Sequence, residues 1–424
     1  MKLTITSAAL AVLLASEAAA FPNMMDKLMG PVYAEHFKQK RQIDPTAPQG
    51  AGALPATPPP FDASLQYVSN QGDHAFVAPS SSDQRGECPG LNAMANHNYL
   101  PHDGVATIQQ FFEATQTVFG MSTDLSLFLA TYGAVVDGPL TSWSIAGGPH
   151  EGIGGSHNNY EADSSPLKSD LNQYGSNSRL IIEQFNNLYD LQPDASTANY
   201  NLEVLRDFRG QRFQESIAKN PYFTYLPFSG TAVSQAAFTF IYRFMANKSA
   251  EYPEGTLNKD VLKSFMSIYG PEDNLTWVPG NERIPDNWYK RHPTDAYSIP
   301  YFVADIGYFA ETLPEILIPG CNLGSVDSFN TIDPAALTNG AYTLEQATEN
   351  PFCFATEFAL AELPLLTGLP AITLAGLTGP LTDPLSGLNC ASIGSINQSA
   401  LAACPGFSLY GGPTADVAPG AIQS

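Results

Sequence analysis

A cysteine followed directly by a proline stands where a helix is predicted to begin, in the stretch ECPGLNAMANHNYLPHDG at residues 87–104. Pro89 suits the first helical position, because its missing N–H would be unpaired there in any case. Cys88 would then be the N-cap, where free backbone N–H groups and the helix dipole favour an anion and lower the pKa of a thiol. The thiolate can serve as a nucleophile, a metal ligand or a haem ligand. A buried, unreactive free cysteine is the competing interpretation.

Two carboxylates and a hydroxyl follow each other with a period of two in HNNYEADSSPLKSDLNQYG, residues 157–175. In an extended loop, Glu161, Asp163 and Ser165 would point to the same side. Such a set of oxygen atoms predicts a site for a hard divalent cation. Ser165 and Pro166 also predict the N-cap and the first residue of a helix. The competing interpretation is an acidic surface turn before a capped helix.

The N-terminal residues and the charge of the chain predict a secreted protein. Lys2, a short apolar run and Ala18–Ala20 predict a signal peptide over residues 1–20. Lys40–Arg41 is a dibasic site that could release a pro-peptide, residues 21–41. With 41 acidic and 19 basic residues the net charge is −22, so we expect neither nucleic acid nor a membrane as a partner. No later apolar stretch is long and uninterrupted enough to cross a membrane.

The cysteines fit the same oxidising compartment. There are five of them, at Cys88, Cys321, Cys353, Cys390 and Cys404. Four lie towards the C-terminal end of the chain, so the simplest arithmetic is two disulfides there and an unpaired Cys88. The connectivity of the four is not determined by the sequence. Sequons at Asn247, Asn274 and Asn397 fit glycosylation in the secretory route.

Helical periodicity dominates the chain between its two ends. In VATIQQFFEATQTVF, residues 105–119, apolar side chains recur on one face. VSQAAFTFIYRFMAN, residues 233–247, is apolar on three sides, as a central buried helix would be. We therefore predict a mainly α fold with a single helical domain at residues 81–322. A Pro/Gly-rich, irregular leader at residues 42–80 would precede it, and a disulfide-linked, Pro/Gly-rich C-terminal tail at residues 323–424 would follow.

Together these motifs resemble those of the fungal haem-thiolate peroxidases, the haloperoxidase family of chloroperoxidase and the unspecific peroxygenases. Residues 87–104 are similar to a helix of that family that begins at Pro-Cys-Pro and ends in ANHGYLPRDG, with Glu87 in place of the first proline. EADSSPLK is similar to the metal loop of the family, and RFQESIAKNPYF and IPDNWYKRHP are similar to two further segments. The resemblance covers roughly residues 86–293.

The resemblance implies a helical domain around a haem pocket and a magnesium or manganese ion beside it. It implies haem b with the Cys88 thiolate as the proximal iron ligand. It implies further that the side chains of Glu161, Asp163 and Ser165 and the backbone carbonyl of Ala162 hold the metal ion, which also binds a haem propionate. Lys168 stands where the family has an arginine, so the charge is kept but the bidentate geometry is lost.

The family also has a distal acid–base, a glutamate that moves a proton between the two oxygen atoms of peroxide. This position aligns with Gln235, and the position of a helping arginine aligns with Phe228. A glutamine can hydrogen-bond peroxide but cannot move its proton. Gln235 could instead bridge two core helices.

Three interpretations of this difference stay open from the sequence. The alignment could be displaced around Gly230. Another residue could move the proton, with His157 as the first candidate and His150 or Glu151 as weaker ones. Alternatively, the chain could bind haem and cleave peroxide slowly.

We therefore expect a secreted peroxidase or peroxygenase that uses hydrogen peroxide to oxidise a small organic, aromatic substrate. A weakly catalytic or non-catalytic haem-binding protein on the same scaffold is the alternative. A cysteine hydrolase is a third, but His97 lies a turn too far along the helix of Cys88. Five aromatic residues could line a substrate channel or belong to the core: Phe223, Tyr225, Phe228, Phe238 and Phe240. The sequence leaves open the substrate, the type of oxidation and the oligomeric state.

Overall fold

The structure is a computed structural model that describes residues 58–147, 162–174, 178–369, 379–382, 388 and 390–407. The predicted signal peptide and pro-peptide lie outside the described residues, as do residues 42–57 of the predicted leader. In the described parts of the chain, no helix combines the length and apolar character that a membrane span requires.

The described residues form a mainly α fold, as predicted. The helices are Ala63–Gln66 (α1), Pro89–Asn96 (α2), Ile108–Phe119 (α3), Thr123–Val136 (α4), Leu171–Tyr174 (α5), Ile182–Tyr189 (α6), Leu202–Lys219 (α7), Gln235–Met245 (α8), Lys259–Phe265 (α9), Ile299–Ala310 (α10), Pro334–Leu337 (α11), Leu344–Glu349 (α12), Pro351–Thr367 (α13), Gly379–Thr382 (α14) and Gln398–Ala402 (α15). A π-helical turn at Pro227–Ser234, called the π segment below, runs directly into α8.

The described strands are short, and they pair in three small antiparallel sheets at the edges of the helical body. Val105–Thr107 (β1) pairs with Ser142–Ser144 (β2). Thr224–Tyr225 (β3) pairs with Gly320–Cys321 (β6), which also pairs with Asn330–Thr331 (β7). Ile268–Tyr269 (β4) pairs with Thr276–Trp277 (β5). These ladders join loops and leave the core to the helices.

Local sequence signals explain where the helices around the centre begin. Cys88 is the N-cap of α2 and Pro89 its first residue, as predicted. Thr107 and Gln110 form a capping box at the start of α3, which ends at Gly120 with a left-handed φ of 65°. The Asn201 side chain caps α7 by accepting from the Val204 N–H. α8 then packs against α7, α9 and α10, as expected of the central helix.

The two ends of the described chain belong to the same body as its middle. In the part predicted as a leader, the Val68 N–H donates to the Trp288 carbonyl at 3.2 Å. In the part predicted as a tail, the 17-residue α13 packs against the π segment and α4. One hydrophobic core contains residues from Val68 to Cys404. The residues after 322 thus include ordered helices that help to bury this core.

The disulfides are Cys321–Cys404 and Cys353–Cys390, and Cys88 is free. The predicted count of two disulfides and one free thiol is confirmed, and the structure supplies the connectivity. The first disulfide links β6 to the chain after α15, and the second links α13 to residue 390. Cross-links over such spans restrict the unfolded chain and typically stabilise a fold by about 2–4 kcal/mol each.

Candidate active site

An internal cavity of about 280 Å³ lies between α2, α3, α4, the π segment, α8 and α13. Its walls are mainly aliphatic and aromatic side chains. Among the described residues that line it, the titratable side chains are Glu87, Cys88, Tyr132 and Lys168. Such an apolar cavity with few polar groups is typical of a site for an organic cofactor and an apolar substrate.

Cys88 places a free sulfur atom on the wall of this cavity. Its side chain is accessible and lines the cavity, so the sulfur can be reached from the cavity. Gly90 keeps the space beside the sulfur open. A Cβ at Gly90 would lie 3.9 Å from Cys88 Sγ and 3.2 Å from the Phe119 ring.

The pKa of the Cys88 thiol differs from the sequence expectation. Burial among apolar groups raises this pKa, and the N–H groups of Leu91 and Gly90 and the charge of Lys168 oppose the rise only in part. The predicted lowering of the pKa by the helix start is therefore wrong as a net effect. A cation bound to the sulfur would favour the thiolate at this position. The iron of a haem is such a cation, and the apolar lining of the cavity suits the rest of that group.

The loop after residue 161 contributes Ala162, Ser165 and Lys168 to the cavity wall. Lys168 is buried, its ammonium lies 5.1 Å from the centre of the Trp277 ring, and burial lowers its pKa. The charges of Glu282 and Glu87 oppose that lowering. Among the described residues that line the cavity, Lys168 is the one cation, so it suits an anionic group such as a haem propionate.

Asp163 does not join this wall. Its Oδ1 accepts from the Leu171 N–H at 2.9 Å and its Oδ2 accepts from Asn220 Nδ2 at 2.8 Å. Burial and the charge of Asp170 raise the pKa of Asp163 well above its usual range. The extended conformation expected for this loop is wrong, because Ser164 has a left-handed φ of 66° and turns the chain. Asp163 holds the shape of the turned loop through its hydrogen bonds. The metal-ligand roles of Asp163 and Ser165 stay predictions.

Two other predictions concern this loop: a helix that begins at Ser165 and Pro166, and a metal ligand at Glu161. Ser165 and Pro166 do not begin a helix, since the next helix is α5 at Leu171–Tyr174. Glu161 lies outside the described residues, and so do His150, Glu151 and His157. Within the described residues, no cluster of three or more histidine, cysteine or acidic side chains is arranged to hold a metal ion.

Gln235 lies on the far side of α8 from the cavity. Its Oε1 accepts from Arg209 Nε at 2.8 Å, and its Nε2 donates to the Tyr225 hydroxyl at 2.5 Å and to the Gly230 carbonyl at 3.1 Å. Gln235 is not among the residues that line the cavity, and its bond to Arg209 agrees with the alternative that it bridges two core helices. A role for Gln235 towards peroxide stays a prediction. The wider π winding before α8 rotates Gln235 towards Arg209 on α7.

The wall opposite the loop is aromatic and carries few polar atoms. Phe228 lines the cavity, and the centre of its ring lies 4.6 Å from the centre of the Tyr132 ring. Phe240 also lines the cavity, and the centre of its ring lies 4.8 Å from the centre of the Phe244 ring. The other three aromatic residues named as channel candidates are not on the wall and are buried in the core: Phe223, Tyr225 and Phe238. Sequence reasoning missed Tyr132, which lies two turns after Leu125 on α4, at a spacing that the apolar periodicity of this helix could have shown.

α13 also reaches the cavity. Phe352, near its start, lines the wall with its ring 6.2 Å from that of Phe128 and 6.1 Å from that of Phe302. The sequence does not predict this contact, because the Pro/Gly-rich residues after 322 indicate a separate tail.

The chain is similar to proteins of known family. The model of the family described as peroxidase, family 2, matches residues 74–293, which include Cys88 and the loop of Lys168. The dothistromin biosynthesis peroxidase of Dothistroma septosporum is 34% identical over 93% of this chain and 96% of its own. An aromatic peroxidase of Fusarium equiseti is 33% identical over 78% and 82% of the two chains. An aromatic peroxygenase of Cyclocybe aegerita is 29% identical over 70% and 77%. α13 lies beyond the residues that the family model matches.

Proposed function

The chain belongs to the fungal haem-thiolate peroxidase family and is a peroxide-dependent oxidoreductase, and on that premise we propose that it uses hydrogen peroxide to oxidise a small aromatic compound. The single observation that carries the proposal is the free Cys88 at the N-cap of α2, with its sulfur on the wall of an aromatic cavity. Three relatives carry the words peroxidase or peroxygenase in their names, and two of these names specify aromatic substrates.

We propose haem b as the cofactor, with the Cys88 thiolate as its iron ligand. A thiolate ligand gives haem iron electron density that favours cleavage of the O–O bond of peroxide. The residues of the chain fit this group. Cys88 supplies the sulfur, Gly90 leaves space beside it, and Lys168 offers a charge for a propionate.

We propose further that a magnesium or manganese ion lies beside the loop. The Ala162 carbonyl and the Ser165 hydroxyl belong to residues on the cavity wall, and Glu161 would add the carboxylate that a hard cation prefers. Asp163 is the fourth predicted ligand, and its hydrogen bonds to the Leu171 N–H and to Asn220 would hold it and the loop in place.

The side chains on the cavity walls favour an aromatic substrate. Rings such as Phe228 and Tyr132 can contact a flat aromatic molecule by offset or edge-to-face packing, which contributes about 0.5–1.5 kcal/mol per ring pair beyond burial. An apolar wall also excludes water from the reacting atoms. These features favour an uncharged aromatic compound over a polar one.

We propose that the protein acts outside the cell. The signal-peptide pattern and the sequons support this location, and the two disulfides fit an oxidising compartment. Neither nucleic acid nor a membrane is part of the proposal.

The test is turnover of an aromatic peroxidase dye with hydrogen peroxide by the full chain expressed with added haem. We expect turnover by the wild type and none by Cys88→Ala. The control is the double variant Cys353→Ala/Cys390→Ala, which removes two cysteines other than Cys88. A wild type that binds haem through Cys88 but turns over no dye would favour the alternative of a non-catalytic haem-binding protein.

A further inference from the structure

An acidic side chain is buried on α13, beyond the part of the chain that the family model matches. Glu362 is 7% exposed, and among the described residues none donates a hydrogen bond to its carboxyl group or pairs with it as a cation. A buried carboxylate without such partners is strongly disfavoured in its charged form. Burial accordingly raises the pKa of Glu362 to about 8. A buried acid of this kind lowers the stability of the fold, so its presence favours a functional role.

The elements around Glu362 lead to the cavity. α13 packs against the π segment and against α4, and each of these three elements contributes side chains to the cavity wall. On α4, Tyr132 lines the cavity and lies close enough to Glu362 to respond to its charge. Burial raises the pKa of Tyr132 well above its usual range, and the charges of Glu362 and Asp137 raise it further. Residues 227–234 of the π segment add no titratable side chain.

The same three elements carry a group of buried hydroxyls that lack partners among the described residues. We call them the hydroxyl cluster: Thr131, Ser229, Thr231, Ser234 and Thr356. Each belongs to a residue that is at most 4% exposed, and Ser234 lines the cavity. Buried polar groups in native proteins are almost always hydrogen-bonded, and ordered water is the usual partner where protein atoms are missing. The hydroxyl cluster therefore predicts ordered water where α4, the π segment and α13 meet.

We propose that Glu362 is the proton reservoir of the cavity and exchanges a proton with bound peroxide through Tyr132 and the water held by the hydroxyl cluster. This inference rests on the proposed function. One proton leaves one oxygen of hydrogen peroxide and one proton returns to the other oxygen as the O–O bond breaks, so water departs and the carboxyl group ends as it began. Haem, when bound, would supply the two electrons for cleavage of the O–O bond.

The proposed role of Glu362 as a proton donor and acceptor leaves Gln235 free to bond Arg209 and Tyr225. The chain needs no acid at Gln235 if a carboxyl group on another helix supplies the proton. A pKa near the working pH suits a group that must both accept and donate a proton. Glu362 also lies outside residues 74–293, so a comparison limited to those residues would not reveal it.

The experiment compares three full-length proteins: the wild type, Glu362→Gln, and Glu349→Gln as a control at an exposed acid on α12. The first readout does not depend on activity. Infrared difference spectra should show a protonated carboxyl band that titrates near pH 8 in the wild type and in Glu349→Gln and is missing in Glu362→Gln. Absence of that titration from the wild type overturns the inference.

The second readout is the rate of peroxide consumption by haem-loaded protein against pH. We expect Glu362→Gln to lower this rate by about 10²–10⁴ and to remove its pH dependence near 8, because general acid–base help is of that size. Glu362→Asp should recover part of the rate. Equal rates and pH profiles in wild type and Glu362→Gln overturn the inference and leave the proposed function standing. A wild type that binds haem and consumes no peroxide refutes both.

Discussion

The buried carboxyl group of Glu362 should make the stability of this protein depend on pH in a way that a single substitution removes. The pKa of Glu362 is about 8 in the folded protein, against an ordinary value of 4.5 for glutamate. The folded state therefore binds a proton more tightly than the unfolded state does. The stabilisation from that proton is complete below pH 4.5 and is lost as the pH rises towards 8.

The size of the effect follows from the two pKa values. Each pKa unit corresponds to about 1.4 kcal/mol, so the loss between pH 4.5 and pH 8 amounts to at most about 5 kcal/mol of the free energy of unfolding. Such a loss is a large part of the total stability of a typical domain, which is about 5–15 kcal/mol. Glu362→Gln keeps the shape of the side chain and cannot ionise, so it should not suffer this loss.

The assay is denaturant unfolding of wild type, Glu362→Gln and the control Glu349→Gln at several pH values from 4.5 to 9, with the disulfides intact. Other buried acids titrate in all three proteins, so the difference between two curves isolates the substituted residue. We expect the advantage of Glu362→Gln over wild type to grow with pH and to level off above pH 8, and the advantage of Glu349→Gln to stay flat. A difference between wild type and Glu362→Gln that does not change with pH would refute the reasoning.

Three further predictions concern other parts of the site. Phe352→Ala should lower the free energy of unfolding by about 3–5 kcal/mol in denaturant unfolding, because it leaves a void among packed rings, and should raise kcat/KM for bulkier aromatic substrates relative to small ones. Gln235→Glu should not speed peroxide consumption in stopped-flow, because the new carboxylate would bond Arg209 and not face the cavity; a clear acceleration would contradict the position of Gln235. Thiol titration of denatured, unreduced protein should find one thiol, and Cys88→Ala should leave none.

Local signals in the sequence were enough to place the sulfur. The N-cap geometry of Cys88 depends on Pro89 and on the backbone of the following turn, all within a few residues, so the pattern and the structure agree. The odd number of cysteines likewise indicated that one stays free. The net pKa of the thiol could not be read in this way, because it depends on apolar side chains from α3, α4 and α8 that the fold brings together.

The errors have local physical causes that single-residue patterns do not reveal. Asp163 was grouped with Ser165 on the assumption of an extended loop, and one left-handed residue, Ser164, breaks that alternation. Gln235 is assigned by alignment with the family, and the alignment cannot show the π winding of Pro227–Ser234 that precedes this residue. The sequence gives no signal for Glu362, because its proposed role depends on α13 packing against the π segment, a contact between distant parts of the chain.

The proposed function depends most directly on the sulfur of Cys88 as the ligand of haem iron. The decisive measurement is the carbon monoxide difference spectrum of the reduced, haem-loaded full-length protein, in wild type and in Cys88→His. We expect the wild type to show the red-shifted band of a thiolate-bound haem and Cys88→His to show the band of an imidazole-bound haem. A wild-type spectrum of the imidazole kind, or a thiolate band that persists in Cys88→His, would contradict the assignment of Cys88.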